Sequence, residues 1–177
     1  MGRKLKNSEL DRLSNEEFST VTKSPIIVIL DNVRSLNNIG SVFRTSDAFL
    51  VKKICLCGIT ATPPHRDIHK TALGAEETVA WEYYKNTEDC VAELKEEGYH
   101  IHSIEQVEKS VMLQDFTPES NEKYALVFGN EVKGVQQKIV DASDGCIEIP
   151  QFGTKHSFNI SVTAGMVIWE IFKKMKL

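Results

Sequence analysis

A chain of 177 residues with 41 % hydrophobic and 26 % charged residues has the length and balance of one folded domain, which excludes a disordered or fibrous class. No run approaches the roughly 18 apolar residues of a bilayer span, and the start MGRKLKNSELDR lacks the apolar core of a signal peptide, so a cytoplasmic protein with no membrane partner is expected. The net charge of −4 argues at first against a nucleic-acid partner.

In chain order, residues 1–24 read as a charged N-terminal arm or helix packed on a single domain of residues 25–177. Short apolar or β-rich runs bounded by turn residues predict strands at 26–30 (IIVIL), 53–57 (KICLC), 79–83, 100–104, 124–128 (YALVF) and 146–149. Helical patterns lie between them at 39–49, at 87–97 with Gly98 as a C-terminal cap, at 135–142 and at 158–175. Strands alternating with helices predict an α/β domain on a mostly parallel sheet flanked by helices. Cys55, Cys57, Cys90 and Cys146 show no disulfide-framework spacing, and Cys55-Leu-Cys57 is one residue too tight for a zinc clip. Reduced, buried thiols are expected.

Charge is unevenly spread. Between Asn32 and Ala75 six bases face two acids, a local net of +4, whereas from Glu76 to Glu131 fourteen acids face four bases, a local net of −10. A basic segment inside an acidic protein suits a focused anion site, and it also suits a solvated helix face of unrelated charges. His65 and His69 stand at i, i+4 spacing and could pair on a metal. No H-E-x-x-H follows and no third ligand is evident, so a surface pair beside Arg66 and Lys70 is expected.

Ligands of parallel α/β sheets bind beyond the carboxyl ends of strands, and three such loops are loaded with functional groups. They are NNIGSVFRTSDAF at 37–49, LVFGNEVKGV at 126–135 and IEIPQFGTKHSFNISV at 147–162. None is a Walker phosphate loop or a dinucleotide fingerprint. Together, in this order, they resemble the three motifs of the SpoU/TrmH-type RNA ribose 2′-O-methyltransferases of the SPOUT class, and the likeness runs from about residue 25 to the C-terminus. Gln151 stands where that family usually has methionine, and Phe158 where it usually has leucine. Neither change removes a functional group.

The resemblance implies a deep C-terminal trefoil knot, a homodimer and an S-adenosylmethionine site in the knot, with Gly129, Ile149 and Phe158 as its cofactor-binding residues. Ile149 and Phe158 also suit plain core packing, and both roles can hold at once. It further implies Asn38 and Arg44 as catalytic, with Glu131, Ser157 and Asn159 fixing the loops and orienting substrate or Arg44. Methyl transfer to a ribose hydroxyl calls for a positioned 2′-OH, a route for its proton and a held methyl group, and no metal. A guanidinium is a poor base. Arg44 is therefore expected to grip phosphate and stabilise a developing alkoxide, proton abstraction by Arg44 and a surface salt bridge to Asp47 or Asp31 being the alternatives.

Asn32, Arg34, Arg66 and Lys70 are candidates for RNA docking, although Asn32 could merely cap the turn after the first strand. The tract HKTALGAEETVAWEYY at 69–84 is similar to the corresponding region of tRNA enzymes that methylate a D-loop guanosine ribose, so tRNA is expected over ribosomal RNA. A non-catalytic cofactor-binding RNA chaperone and a flavodoxin-like small-molecule binder are the rival readings. The last helix, apolar over more than one face from Phe158 to Phe172, suits either a dimer interface or a fully buried core helix.

Overall fold

The computed structural model describes residues 2–177. Its elements in chain order are α1 (Asn15–Thr20), β1 (Ser24–Asp31), α2 (Leu36–Ala48), β2 (Val51–Cys57), α3 (Arg66–Ala72), α4 (Ala75–Thr78), β3 (Trp81–Tyr84), α5 (Thr87–Glu96), β4 (Tyr99–Ile104), β5 (Val111–Met112), β6 (Lys123–Phe128), α6 (Gln137–Ala142), β7 (Gly145–Glu148) and α7 (Ile160–Lys176). The seven strands form one sheet in the order β3-β2-β1-β6-β4-β7-β5, and every pairing is parallel.

A parallel sheet must be covered on both faces, and the run IIVIL shows how the sequence meets that demand. Ile26, Val28 and Leu30 point into one core with Val42 and Phe43 of α2 and Val167, Ile168 and Ile171 of α7. Ile27 and Ile29 point into a second core with Cys90, Val91 and Leu94 of α5 and Ile139 of α6. Phe43 and Phe128 are among the largest fully buried side chains, and truncating either to alanine would cost about 3–5 kcal/mol. All four cysteines are unpaired, with Cys55, Cys57 and Cys90 buried. Among the described residues no helix is long and apolar enough to cross a membrane.

Local chemistry explains the differences from the predicted elements. Helix α2 begins three residues early because the Ser35 hydroxyl accepts the Asn38 N–H at 3.3 Å as an N-cap. The third strand begins at Trp81 rather than 79, since Val79 closes the short helix α4 through its N–H to the Ala75 carbonyl. Helix α3 was not foreseen because its seven residues offer only Ile68 and Ala72 as buried positions. Strand β5 has two residues and thus no period to read. Gly98 does end α5, at φ 81° with its N–H on the Lys95 carbonyl.

Strand β1 is the point where the sheet divides. The chain leaves it for β2 on one side, while β6, paired Leu30 to Phe128, lies on the other. The loops after β1 and β6 are therefore neighbours at a topological switch point, and α7 starts beside them.

Candidate active site

The loop after β1 is built around Asp31. Its side chain is fully buried and accepts from the Thr87 hydroxyl at 2.6 Å, the Gln136 side-chain amide at 2.7 Å, the Asn32 amide at 2.9 Å and the Gln136 N–H at 3.0 Å. A buried carboxylate is tolerable only when its acceptor capacity is filled in this way. Asn32 follows in the left-handed region at φ 57°, with its side-chain oxygen on the Ile59 N–H at 3.1 Å. Asn32 thereby ties the loop after β1 to the loop after β2.

The loop after β6 closes on itself. Asn130 and Gly134 exchange backbone hydrogen bonds of 3.0 and 2.9 Å, and the Asn130 side-chain oxygen accepts the Val132 and Lys133 N–H groups. Gly129 is required by this closure, because a Cβ there would stand 2.1 Å from both the Gly134 carbonyl carbon and the Val135 nitrogen. Glu105 holds the far side of the loop by accepting the Val135 N–H at 2.9 Å, and the Asn130 amide donates to the Asn32 carbonyl at 2.8 Å. Asp31, Glu105 and Asn130 are positioning residues that sequence reasoning passed over. The only hint was a carboxylate directly after the apolar run of β1.

Glu131 joins the two loops. It accepts the Arg34 N–H at 3.0 Å, the Ser35 N–H at 2.9 Å and the Asn38 side-chain amide at 3.3 Å. Burial pushes its pKa up, but the Arg34 and Ser35 N–H groups and the Asn38 amide outweigh that and hold the carboxyl below its ordinary range. Asn38 in turn accepts from the Asn159 amide at 3.2 Å, and Asn159 caps α7 by accepting the Ser161 N–H at 2.9 Å. Residues from all three loaded loops thereby form one polar chain, Glu131 to Asn38 to Asn159.

Beside this chain lies an open cavity of about 720 Å³ whose lining includes Gly129, Glu131, Ile149, Ser157, Phe158 and Asn159. Its size is that of a small-molecule site. Glu105, Glu131 and Glu148 give its wall a negative character, while Ile104, Ile149 and Phe158 supply apolar surface. Arg44 does not line it. It is exposed on α2, and among the described residues no ion pair includes it. The acids once considered for it are engaged elsewhere, Asp31 as above and Asp47 by the Thr78 hydroxyl at 3.0 Å. Arg66 and Lys70 are exposed on α3, and the Arg34 side chain is exposed above Glu131.

Residues 25–169 match the model of the SpoU rRNA Methylase family. The chain belongs to that family. Among curated SpoU relatives, a 23S rRNA (guanosine-2′-O-)-methyltransferase of Neisseria meningitidis is 33 % identical over 86 % of this chain and 60 % of its own length. A tRNA (guanosine(18)-2′-O)-methyltransferase of Borreliella burgdorferi is 26 % identical over 91 % of this chain and 72 % of its own. Of solved SpoU structures, the TrmH/SpoU tRNA modifying enzyme of A. aeolicus superposes with a TM-score of 0.78 at 27 % identity, covering 90 % of this chain and 79 % of that one. An AdoMet-bound rRNA methyltransferase of Sinorhizobium meliloti gives 0.80 at 25 % identity over 88 % and 58 %. The chain thus spans only 60 % of the length of the first of these curated relatives.

Proposed function

We propose that this SpoU-family chain is an S-adenosylmethionine-dependent RNA ribose 2′-O-methyltransferase. The observation that carries the reading is the Glu131, Asn38, Asn159 chain, which binds all three family motifs into one arrangement beside a ligand-sized cavity. The cavity fits the methyl donor. Gly129 and Gly134 bring backbone close to the pocket, Ile149 and Phe158 offer apolar walls for an adenosine, and the acidic lining suits a ligand with a sulfonium and an ammonium. Strand β7 lies between β4 and β5, and Lys174 of α7 is ringed by the carbonyls of Leu113, Gln114 and Phe116. That fastening supports a trefoil knot at this end of the chain.

When bound, S-adenosylmethionine supplies an electrophilic methyl group. The residues of this chain do the rest. Asn38 and Asn159, each anchored at both ends of its amide, orient the ribose, and Ser157 borders the same space. Arg44, in no ion pair among the described residues, holds the neighbouring phosphate and stabilises the alkoxide that develops as the 2′-hydroxyl gives up its proton. Arg34, Arg66 and Lys70 supply exposed positive charge for docking. The substrate is tRNA in a cytoplasmic setting. Support comes from the 69–84 tract. Ribosomal RNA is the second reading, favoured by the 33 % identity of the Neisseria protein.

The test is single-turnover transfer of a radiolabelled methyl group from saturating cofactor to unmodified tRNA and to rRNA transcripts, with the modified nucleotide mapped. Ribose methylation of tRNA is expected. Labelling of rRNA alone would move the assignment to the second reading, and cofactor binding without transfer to either would favour the chaperone.

A further inference from the structure

Helices α3 and α4, both packed against α2, form a hairpin across Leu73 and Gly74, both at positive φ. The hairpin brings His69 against Glu76 and Glu77, and one ligand atom of each lies within 4.8 Å of the others. His69 Nδ1 is 2.5 Å from Glu76 Oε1. The Glu76 side chain is only 8 % exposed, and its second oxygen, Oε2, is buried with no hydrogen-bond partner. A buried carboxylate oxygen without a donor is costly, and this one belongs to a residue of a cluster with the donor set of a cation site.

We propose that His69, Glu76 and Glu77 bind one zinc-class divalent cation that staples α3 to α4. One imidazole nitrogen and two carboxylates suit a first-row transition ion better than magnesium or calcium, which prefer oxygen alone. Ligand atoms roughly 2.1 Å from a tetrahedral ion stand about 3.4 Å apart, so seating it requires Nδ1 and Oε1 to part by about 1 Å. His65 is not a ligand. Its Nδ1 accepts the Asp67 N–H at 3.2 Å as the cap of α3, which leaves the proton on Nε2. The i, i+4 histidine pair in the sequence is thereby split, and the missing third ligand comes from α4 instead.

The three ligands border a hollow that Pro63, Pro64 and Trp81 also line. This hollow shares no residue with the cavity beside Asn159, so the ion holds the hairpin that presents Arg66 and Lys70 and takes no part in methyl transfer. The proposal does not rest on the methyltransferase reading.

The decisive experiment titrates the full, chelator-treated chain with zinc chloride against a chromophoric competitor, alongside thermal melts. One zinc per chain is expected, with a melting temperature raised by roughly 5 °C when free zinc is about a hundred times Kd. His69→Ala and Glu77→Gln, both at exposed positions, should each weaken zinc at least about tenfold, and His65→Ala should not. The same titration with magnesium or calcium should give no comparable binding. No zinc bound, equal binding by the two ligand variants, equal loss in His65→Ala, or magnesium matching zinc would each overturn the proposal.

Discussion

Asn159 donates its side-chain amide to the Asn38 side-chain oxygen Oδ1 at 3.2 Å, across 121 residues of sequence. Each partner is fixed at its other end, Asn159 by capping α7 and Asn38 by donating to Glu131. Neither amide is free to rotate away, so both present a defined edge to a substrate. Asn159→Ala should therefore lower methyl transfer at saturating cofactor by roughly 10²-fold, the scale of losing a positioned polar group, while also loosening the start of α7. Asn159→Asp keeps the cap and so separates the two effects. Near-normal thermal stability with depressed turnover is the expected result, read by differential calorimetry and single-turnover methylation.

Arg44 gives a cleaner separation of chemistry from binding. It is exposed and carries no ion pair among the described residues, so its removal leaves no buried partner there unsatisfied. Arg44→Ala should keep the melting temperature and the cofactor Kd of the parent, and reduce transfer by at least about 10²-fold. Arg44→Lys should recover little, because a point charge does not reproduce a bidentate grip on phosphate. Turnover near that of the parent in Arg44→Ala would assign the chemistry to another residue.

Glu131 makes the fold sensitive to acid in a defined direction. Its folded-state pKa lies below the ordinary 4.5, so its bracing of the two loops is complete above about pH 4.5 and fades as pH falls through the depressed value. Glu131→Gln does not titrate. The variant should melt lower than the parent near neutrality, and the gap should shrink in acid as the parent's carboxyl takes up its proton. Melting temperatures measured in parallel from about pH 7 down to about pH 3 check this, and a gap that grows in acid would contradict it.

The legible and illegible parts of this molecule differ in the range of the interactions that make them. The run IIVIL announces a strand buried on both faces because every residue in it is apolar, and its neighbours in sequence carry all the information. The role of Asp31 is the opposite case. Its four donors come from positions 32, 87 and 136, two of them brought in by α5 and the loop before α6. No local pattern encodes that. Motif order pointed to Asn38, Glu131 and Asn159, whereas the hydrogen bonds that join them depend on β1 and β6 lying side by side. Arg44 was expected among the catalytic residues, and within one chain it does not line the cavity.

Gly129 tests the second loop. Because a Cβ would stand 2.1 Å from the Gly134–Val135 backbone, Gly129→Ala must shift one side of the closure rather than a flexible side chain. Cofactor affinity should fall by about tenfold or more, since the displaced backbone forms the cavity wall. Isothermal titration with S-adenosylmethionine reads this directly, and unchanged affinity would remove Gly129 from the cofactor site.

The last prediction concerns α7, whose buried face runs through Ile160, Ala164, Val167, Ile168 and Ile171. Its opposite face is not polar. Val162 is 52 % exposed and Trp169 42 % exposed, with Met166 half-buried between them at i, i+4, i+7 spacing, and Trp169 leans on Phe49 at 5.6 Å. A helix buried entirely in its own domain would not leave this stripe open, so a second copy of the chain is its expected cover. The stripe begins three residues after Asn159, which places the contact at the rim of the site. Light scattering should give twice the mass of one chain, and Val162→Glu with Trp169→Glu should give the single mass, with unchanged far-UV circular dichroism. The separated chain should still bind S-adenosylmethionine, whose cavity one chain lines, and should lose transfer to RNA. A parent chain that runs as a monomer at micromolar concentration would leave the stripe without its partner, and a monomeric variant with full turnover would show that one chain holds the whole active site.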